Sequence, residues 1–137
     1  MERTTQLLKD KNLRVTVVRT KVLDIFIQAG KKALANADIE RQFEQLDRIT
    51  LYRTLRSFEE KGLIHQVHDG TGTTKYAICA HGCTAHVHHD EHPHFHCTSC
   101  GKTVCLDTIA LPEMQLPEGY QLTERQVILA GRCAECS

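Results

Sequence analysis

The stretch Ile49–Cys79, ITLYRTLRSFEEKGLIHQVHDGTGTTKYAIC, reads as one helix followed by two short strands. Leu51, Leu55 and Phe58 recur at helical spacing, which predicts a helix over roughly 49–61 with those three on its buried face, and Gly62 is placed to end it. The runs Leu63–His68 and Thr73–Cys79 flank Asp69-Gly70-Thr71-Gly72, a hairpin signature. Helices followed directly by a hairpin predict a winged helix-turn-helix, in which the last helix enters the major groove of double-stranded DNA and the hairpin is the wing. Thr50, Arg53 and Arg56 turn away from the apolar face, with Tyr52 near its boundary. An ordinary solvated helix surface is the competing account of these side chains.

Upstream, Leu7 and Leu8 sit in a short helical opening that ends near Asn12. From Thr16 an apolar face runs through Val18, Val22, Ile25, Phe26 and Ala29, and Gly30 is the stop signal. Asn36 has the chemistry of an N-cap for the next helix, with Ile39, Phe43 and Leu46 inward. Arg14 and Arg19 flank the second helix within reach of phosphate or minor groove, and Lys75 offers the same from the wing; each also reads as a plain surface charge.

The chain of 137 residues carries no net charge, yet residues 1–78 hold 14 Lys and Arg against 10 Asp and Glu, and residues 79–137 hold 3 against 7. A modestly basic front half is compatible with nucleic acid without requiring it. The opening residues are too polar for a signal peptide and no apolar run approaches membrane-spanning length, so a cytoplasmic protein with no membrane contact is expected. In that reduced compartment, seven cysteines point to metal before disulfides.

Downstream of the wing the composition shifts to His, Cys and acid, which sets a domain boundary between 1–79 and 80–137. Cys97, Cys100, Cys133 and Cys136 form two Cys-x-x-C turns, the pattern of a closed four-thiolate zinc site that ties distant strands together. A redox pair needs only one such turn and a thioredoxin-like setting, which is absent. His92 and His94 alternate along an extended segment, so both imidazoles project to one side. With Cys79 at the wing's end, His65 on its first strand and Cys105 beyond the knuckle, they offer a second, mixed nitrogen and sulfur ligand set drawn from both halves. His65 also reads as a surface strand residue and Cys105 as a small buried hydrophobe. His81, Cys83, His86, His88, His89 and His96 define no site by density alone. Thr103–Leu106 reads as a strand, and Gln121–Ala130 as a further buried one.

Together these blocks resemble the ferric uptake regulator family. The resemblance rests on Leu13-Arg14-Val15-Thr16 with Arg19, Thr50-Leu51-Tyr52-Arg53, the run His92-Pro93-His94-Phe95-His96-Cys97-Thr98-Ser99-Cys100-Gly101, and Gly131-Arg132-Cys133-Ala134-Glu135-Cys136. It implies an α+β architecture: an N-terminal winged helix-turn-helix DNA-binding domain and a small C-terminal α/β dimerisation domain with a four-cysteine zinc. It also implies a homodimer on operator DNA and a regulatory metal near the hinge. Iron-responsive members carry a His or carboxylate where this chain has Ala33, Ala77 and Cys105. Zinc-responsive members end the wing strand in a cysteine, as Cys79 does, and draw a ligand from a context like Gly62-Leu63-Ile64-His65. Pro93 and Arg125 disfavour the further metal site of some members.

The resemblance thus implies a zinc-responsive repressor with structural and regulatory Zn2+, and Fe2+ as the alternative regulatory ion. Thiolate with imidazole suits zinc better than ferrous iron on chemical grounds alone. A zinc enzyme is the rival class. His89-Asp90-Glu91 offers a His-x-Glu, but no Pro-Cys-x-x-C follows at deaminase spacing, so no catalytic residue is assigned.

Overall fold

In a computed structural model, residues 2–78, 92–106, 108–123 and 125–137 are described. Cys79, His81, Cys83, His86, His88 and His89 lie outside the described residues. Helix α1 (Glu2–Asp10) ends on Asn12 in the left-handed region, φ 58°. There the Leu13 N–H reaches back to the Leu8 carbonyl at 2.8 Å, closing the helix end on its own orphan acceptors. Helix α2 (Val17–Ala29) begins where the Thr16 hydroxyl accepts the Arg19 N–H at 3.1 Å. Its fully buried positions are Val22, Leu23 and Phe26; Leu23 joins the expected face, while Val18, Ile25 and Ala29 pack at its margin.

Strand β1 (Leu34–Ala35) leads into the five-residue helix α3 (Asn36–Glu40). Asn36 is its first helical residue rather than its cap: the Asp38 carboxylate reaches back to accept the Ala35 N–H at 2.9 Å. This is the reciprocal half of a capping box, made by an acidic side chain inside the first turn, and Ala35 at the cap has no side-chain acceptor to supply the other half. Helix α4 (Arg48–Glu60) starts at Asp47 and buries Leu51, Thr54, Leu55 and Phe58. Gly62, at φ 75°, ends it, and the Leu63 N–H bonds the Phe58 carbonyl at 2.9 Å.

The hairpin pairs β2 (Ile64–Val67) with β3 (Lys75–Ile78), antiparallel, with His65 opposite Ala77 and Val67 opposite Lys75. Strand β1 adds to its free edge, giving the order β1-β3-β2. Leu8, Val22, Leu23, Phe26, Ile39, Leu51, Phe58 and Ile64 share one core beneath this sheet and the helices.

In the C-terminal lobe, β4 (His94–Cys97) is central, with β5 (Thr103–Cys105) antiparallel on one side and β6 (Ile128–Gly131) parallel on the other. The expected buried strand over 121–130 shrinks to β6. Its Leu129 is 44% exposed, and Tyr120 and Leu122 ahead of it are more so. The apolar run is real, but among the described residues nothing covers that side of the sheet.

The lobes meet edge to edge. After α2, the Ala33 N–H donates to the Thr103 carbonyl and the Cys105 N–H to the Lys31 carbonyl, both at 2.8 Å, so residues 31–33 run as a short strand against β5. Ala33, Val67, Ala77 and Cys105 form a small apolar cluster at this seam.

Candidate metal centres and nucleic-acid interface

Among the described residues, two groups of side chains have the spacing of a metal centre. Cys97 closes β4, Cys133 follows β6, and the parallel β4–β6 pairing brings the two Cys-x-x-C turns side by side. The four sulfur atoms lie within 4.8 Å of one another, with Cys100 Sγ and Cys133 Sγ 3.9 Å apart. Zinc–sulfur bonds of about 2.3 Å in a tetrahedron place sulfurs about 3.8 Å apart, so the donor set fits the ion.

The backbone favours thiolate here. The Cys100 and Cys133 N–H groups each point at Cys97 Sγ from 3.4 Å. Those two bonds, in that order, lower the Cys97 thiol to about 5 against the cost of its burial. Cys136, donating to Cys133 and then Cys97, is pushed up to about 12. Four thiols this close cannot all ionise without a cation between them. Lys102 spans the two knuckles to Glu135 at 2.5 Å, an ion pair whose acidic end is exposed and contributes little.

The second group draws on both lobes. His65 comes from β2, His92 precedes β4, and His94 and Cys105 stand opposite each other on β4 and β5. One donor atom from each falls within 4.8 Å of the others, and Cys105 Sγ is 4.0 Å from His65 Nε2. Ring centroids are 4.8 Å apart for His92 and His94, 5.8 Å for His65 and His94, and 6.0 Å for His65 and His92. The Nε2 atoms of His92 and His94 are shielded from solvent. Three imidazoles and a cysteine sulfur converge here, with no carboxylate in the group among the described residues. Ala33 and Ala77, where a His or an acid was the alternative expectation, pack against Cys105 in the same seam.

Beside this cluster lies a network that the sequence reading missed. Asp69, in the hairpin turn, is fully buried as a side chain. Its Oδ1 accepts the Thr71 hydroxyl at 2.6 Å and the Thr71 N–H at 3.0 Å. Its Oδ2 accepts Lys75 Nζ and the Thr103 hydroxyl, both at 2.6 Å. His96 Nδ1 is 2.9 Å from that hydroxyl. Lys75 therefore turns inward, its side chain 13% exposed, and does not face outward as a wing contact. A lone acid and a lone base flanking an otherwise uncharged hairpin were the available signal.

Burial pushes the Asp69 carboxyl up, but Lys75, Thr103 and Thr71 outweigh it and hold the group well below the usual carboxylate range. A depressed folded value stabilises the protein above the unfolded value of about 4, and that stability is lost as the pH falls toward the folded one. The stability gap between wild type and Asp69→Asn is therefore expected to be widest near neutrality and to narrow below about pH 4, as read by urea denaturation across pH.

On the outer face of α4, Tyr52 is 55% exposed, and Arg53 and Arg56 are exposed beside it. Arg56 donates to the Tyr52 hydroxyl at 3.1 Å and meets Glu60 at 3.2 Å. Thr50 is half-buried and donates to Asp47 at 3.3 Å. Arg14 is exposed, and Arg19 in the first turn of α2 donates to the Arg14 carbonyl at 3.0 Å, which ties the two together. Ile49 at 59% exposure adds an apolar group at the tip of α4 that the helical-face reading had counted as neither core nor contact.

A helix-turn-helix with a three-stranded wing, seamed to a cysteine-rich sheet with two donor clusters, defines a metal-binding DNA-binding regulator. The sequence profile of the ferric uptake regulator family matches residues 10–129, and the chain belongs to that family. Its members are metal-responsive transcriptional regulators, not enzymes. The ferric uptake regulation protein of Neisseria gonorrhoeae is 27% identical, over 94% of this chain and 90% of its own length. The ferric uptake regulator of Vibrio cholerae superposes with a TM-score of 0.62 at 22% identity, covering 93% of this chain and 98% of that one. The crystal structure of holo XcZur gives 0.62 at 20% identity, covering 98% and 96%. Among the described residues, no helix is long and apolar enough to cross a membrane.

Proposed function

We propose that this chain is a zinc-responsive transcriptional repressor that binds operator DNA as a metal-loaded homodimer. One observation carries the reading: His65, His92, His94 and Cys105 bring nitrogen and sulfur donors within 4.8 Å of one another, with no carboxylate in the group among the described residues. Thiolate and imidazole favour zinc over ferrous iron, and zinc stands higher in the affinity order for divalent ions. Cys79, directly after Ile78, is proposed as a fifth candidate donor to this centre, four of the five binding the ion at once. Cys97, Cys100, Cys133 and Cys136 hold the structural zinc.

Zinc at the mixed centre supplies a shared charge for donors from two lobes. His65 is thereby tied to His94 and Cys105, and the wing takes one angle to the C-terminal sheet. Arg14, Arg19, Thr50, Tyr52, Arg53 and Arg56 form the proposed DNA face, and Lys75 drops out of it. Ile109, Met114, Leu116, Tyr120, Leu122 and Leu129 are exposed on the C-terminal lobe, which supports a second copy as its cover. A two-fold dimer then sets two α4 helices about 34 Å apart, in successive major grooves.

The competing reading is an iron-responsive regulator, favoured by the ferric uptake regulation proteins among the relatives. Operator binding measured by fluorescence anisotropy against buffered free zinc and ferrous iron separates the two. The expected result is tight binding at low free zinc and none at physiological ferrous iron; the reverse order would overturn the zinc reading. Arg53→Ala is expected to weaken operator binding about tenfold or more with either metal, since one base or phosphate contact contributes about 1–3 kcal/mol.

A further inference from the structure

The seam between the lobes is built on two adjacent rungs of one sheet face. On β4 and β5, His94 stands opposite Cys105, and one pleat along, His96 stands opposite Thr103. Side chains two apart on a strand share a face, so each strand gives one group to the donor cluster and one to the Asp69 network. The wing mirrors this: β2 carries His65 to the first rung, and its turn carries Asp69 to the second.

We propose that the hydrogen bond from Thr103 to Asp69 is the metal-independent half of this seam, with Thr103 and Asp69 as positioning residues that hold His65 in reach of His92, His94 and Cys105. The inference rests on the reading of that cluster as the regulatory centre. The bond is 2.6 Å long, between buried groups 34 residues apart, and its acceptor is a carboxylate, the strong class of hydrogen bond. Thr103 has one hydroxyl proton and gives it to Asp69. Its lone pairs face Lys75 Nζ at 3.3 Å and His96 Nδ1 at 2.9 Å, so His96 carries its proton on Nδ1. Lys75 is thus recruited from the wing's surface to neutralise the carboxylate at the seam.

A donor set divided between two lobes binds its ion only in the fraction of molecules where the lobes are docked, and its apparent affinity falls by that fraction. The backbone pairing of residues 31–33 with β5 docks the end of α2 but leaves the hairpin turn to Asp69. Without the Thr103 proton, the turn keeps to the sheet only the longer Lys75 contact to the position-103 side chain and the small apolar cluster at the seam, among the described residues, so the ion carries more of the docking. The network therefore raises metal affinity without supplying a ligand.

The test uses the full-length protein with its four-cysteine zinc retained, as Thr103→Val, Thr103→Ser and wild type. Two quantities are read: zinc affinity at the second site by chelator competition, and hydrogen exchange of the Thr71–Tyr76 amides with that site empty. Val, of the same shape without the hydroxyl, is expected to weaken zinc about tenfold and to speed wing exchange, whereas Ser does neither. Val with wild-type affinity and exchange overturns the proposal, as does an equal loss in Ser and Val, which would make the position one of packing. Faster exchange in Val, with no second zinc in any variant including wild type, upholds the latch and defeats the zinc reading. If the Val chain fails to fold, Asp69→Asn, which leaves the C-terminal sheet untouched, is read by the same two measurements.

Discussion

A Cys97→Ser chain is expected to lose its C-terminal lobe while its winged lobe stays folded. Cys97 is the most buried of the four thiols and the one whose sulfur receives two backbone N–H groups, so the others are arranged around it. The described strands of this lobe are three or four residues long, and of its apolar side chains few are buried. Such a sheet has too small a core to repay its ordering entropy alone. Structural zinc in small domains contributes about 10–16 kcal/mol of binding free energy at neutral pH, and that energy is folding energy. Loss of one thiolate ligand removes enough of it to unfold a marginal sheet. The winged lobe has its own core around Phe26 and Phe58 and does not depend on the clamp. Metal content should fall by both zinc ions per chain, since His92, His94 and Cys105 stand on the same lobe, and exchange protection should vanish across β4–β6 but persist in α2 and α4. A protected C-terminal sheet in the variant would show that packing, not zinc, holds it.

A Cys105→Ser chain is expected to behave in the opposite way. It should keep the clamp zinc and both lobes, and lose the zinc dependence of operator binding. Cys105 closes β5 and faces His94 and His65, but its backbone bond to Lys31 does not need the thiol. Serine is a poor zinc ligand of nearly the same size, so the seam stays packed while the donor set loses its sulfur. Allosteric coupling of about 1–3 kcal/mol sets the loss at about 5–150-fold in zinc-induced affinity, with unchanged thermal stability of the metal-free protein. Cys79→Ser, measured alongside, apportions the sulfur between the two cysteines. Wild-type zinc response in both variants would remove thiolate from the regulatory site.

The elements legible in the sequence were those with local signals. Helix α4 and its Gly62 stop, the hairpin, and the paired Cys-x-x-C turns follow from spacing within a few residues, and the structure has them where expected. Strand β1 has only two residues and exists because it pairs with β3, some forty positions on, which no local pattern announces. The apolar run ahead of Gly131 read as buried because hydropathy alone does not say whether the partner surface belongs to the same chain. In the donor cluster, alternation put His92 and His94 on one face, and the hairpin supplied His65; the seam along residues 31–33 then fixed which face of β5 meets them. The Asp69 network stayed hidden because an Asp-Gly pair reads as turn chemistry whether or not its carboxylate has a distant partner. Lys75 was misassigned for the same reason.

The central claim is that the chain has two distinct metal centres, one holding the C-terminal sheet and one joining it to the wing. An anomalous-scattering map at the zinc edge, from crystals of zinc-loaded protein, tests it most directly. The account predicts two peaks per chain, one amid Cys97, Cys100, Cys133 and Cys136, the other bound by His65, His92, His94 and Cys105, with or without Cys79. A single peak at the four cysteines, with His65 turned away from His94, would contradict it.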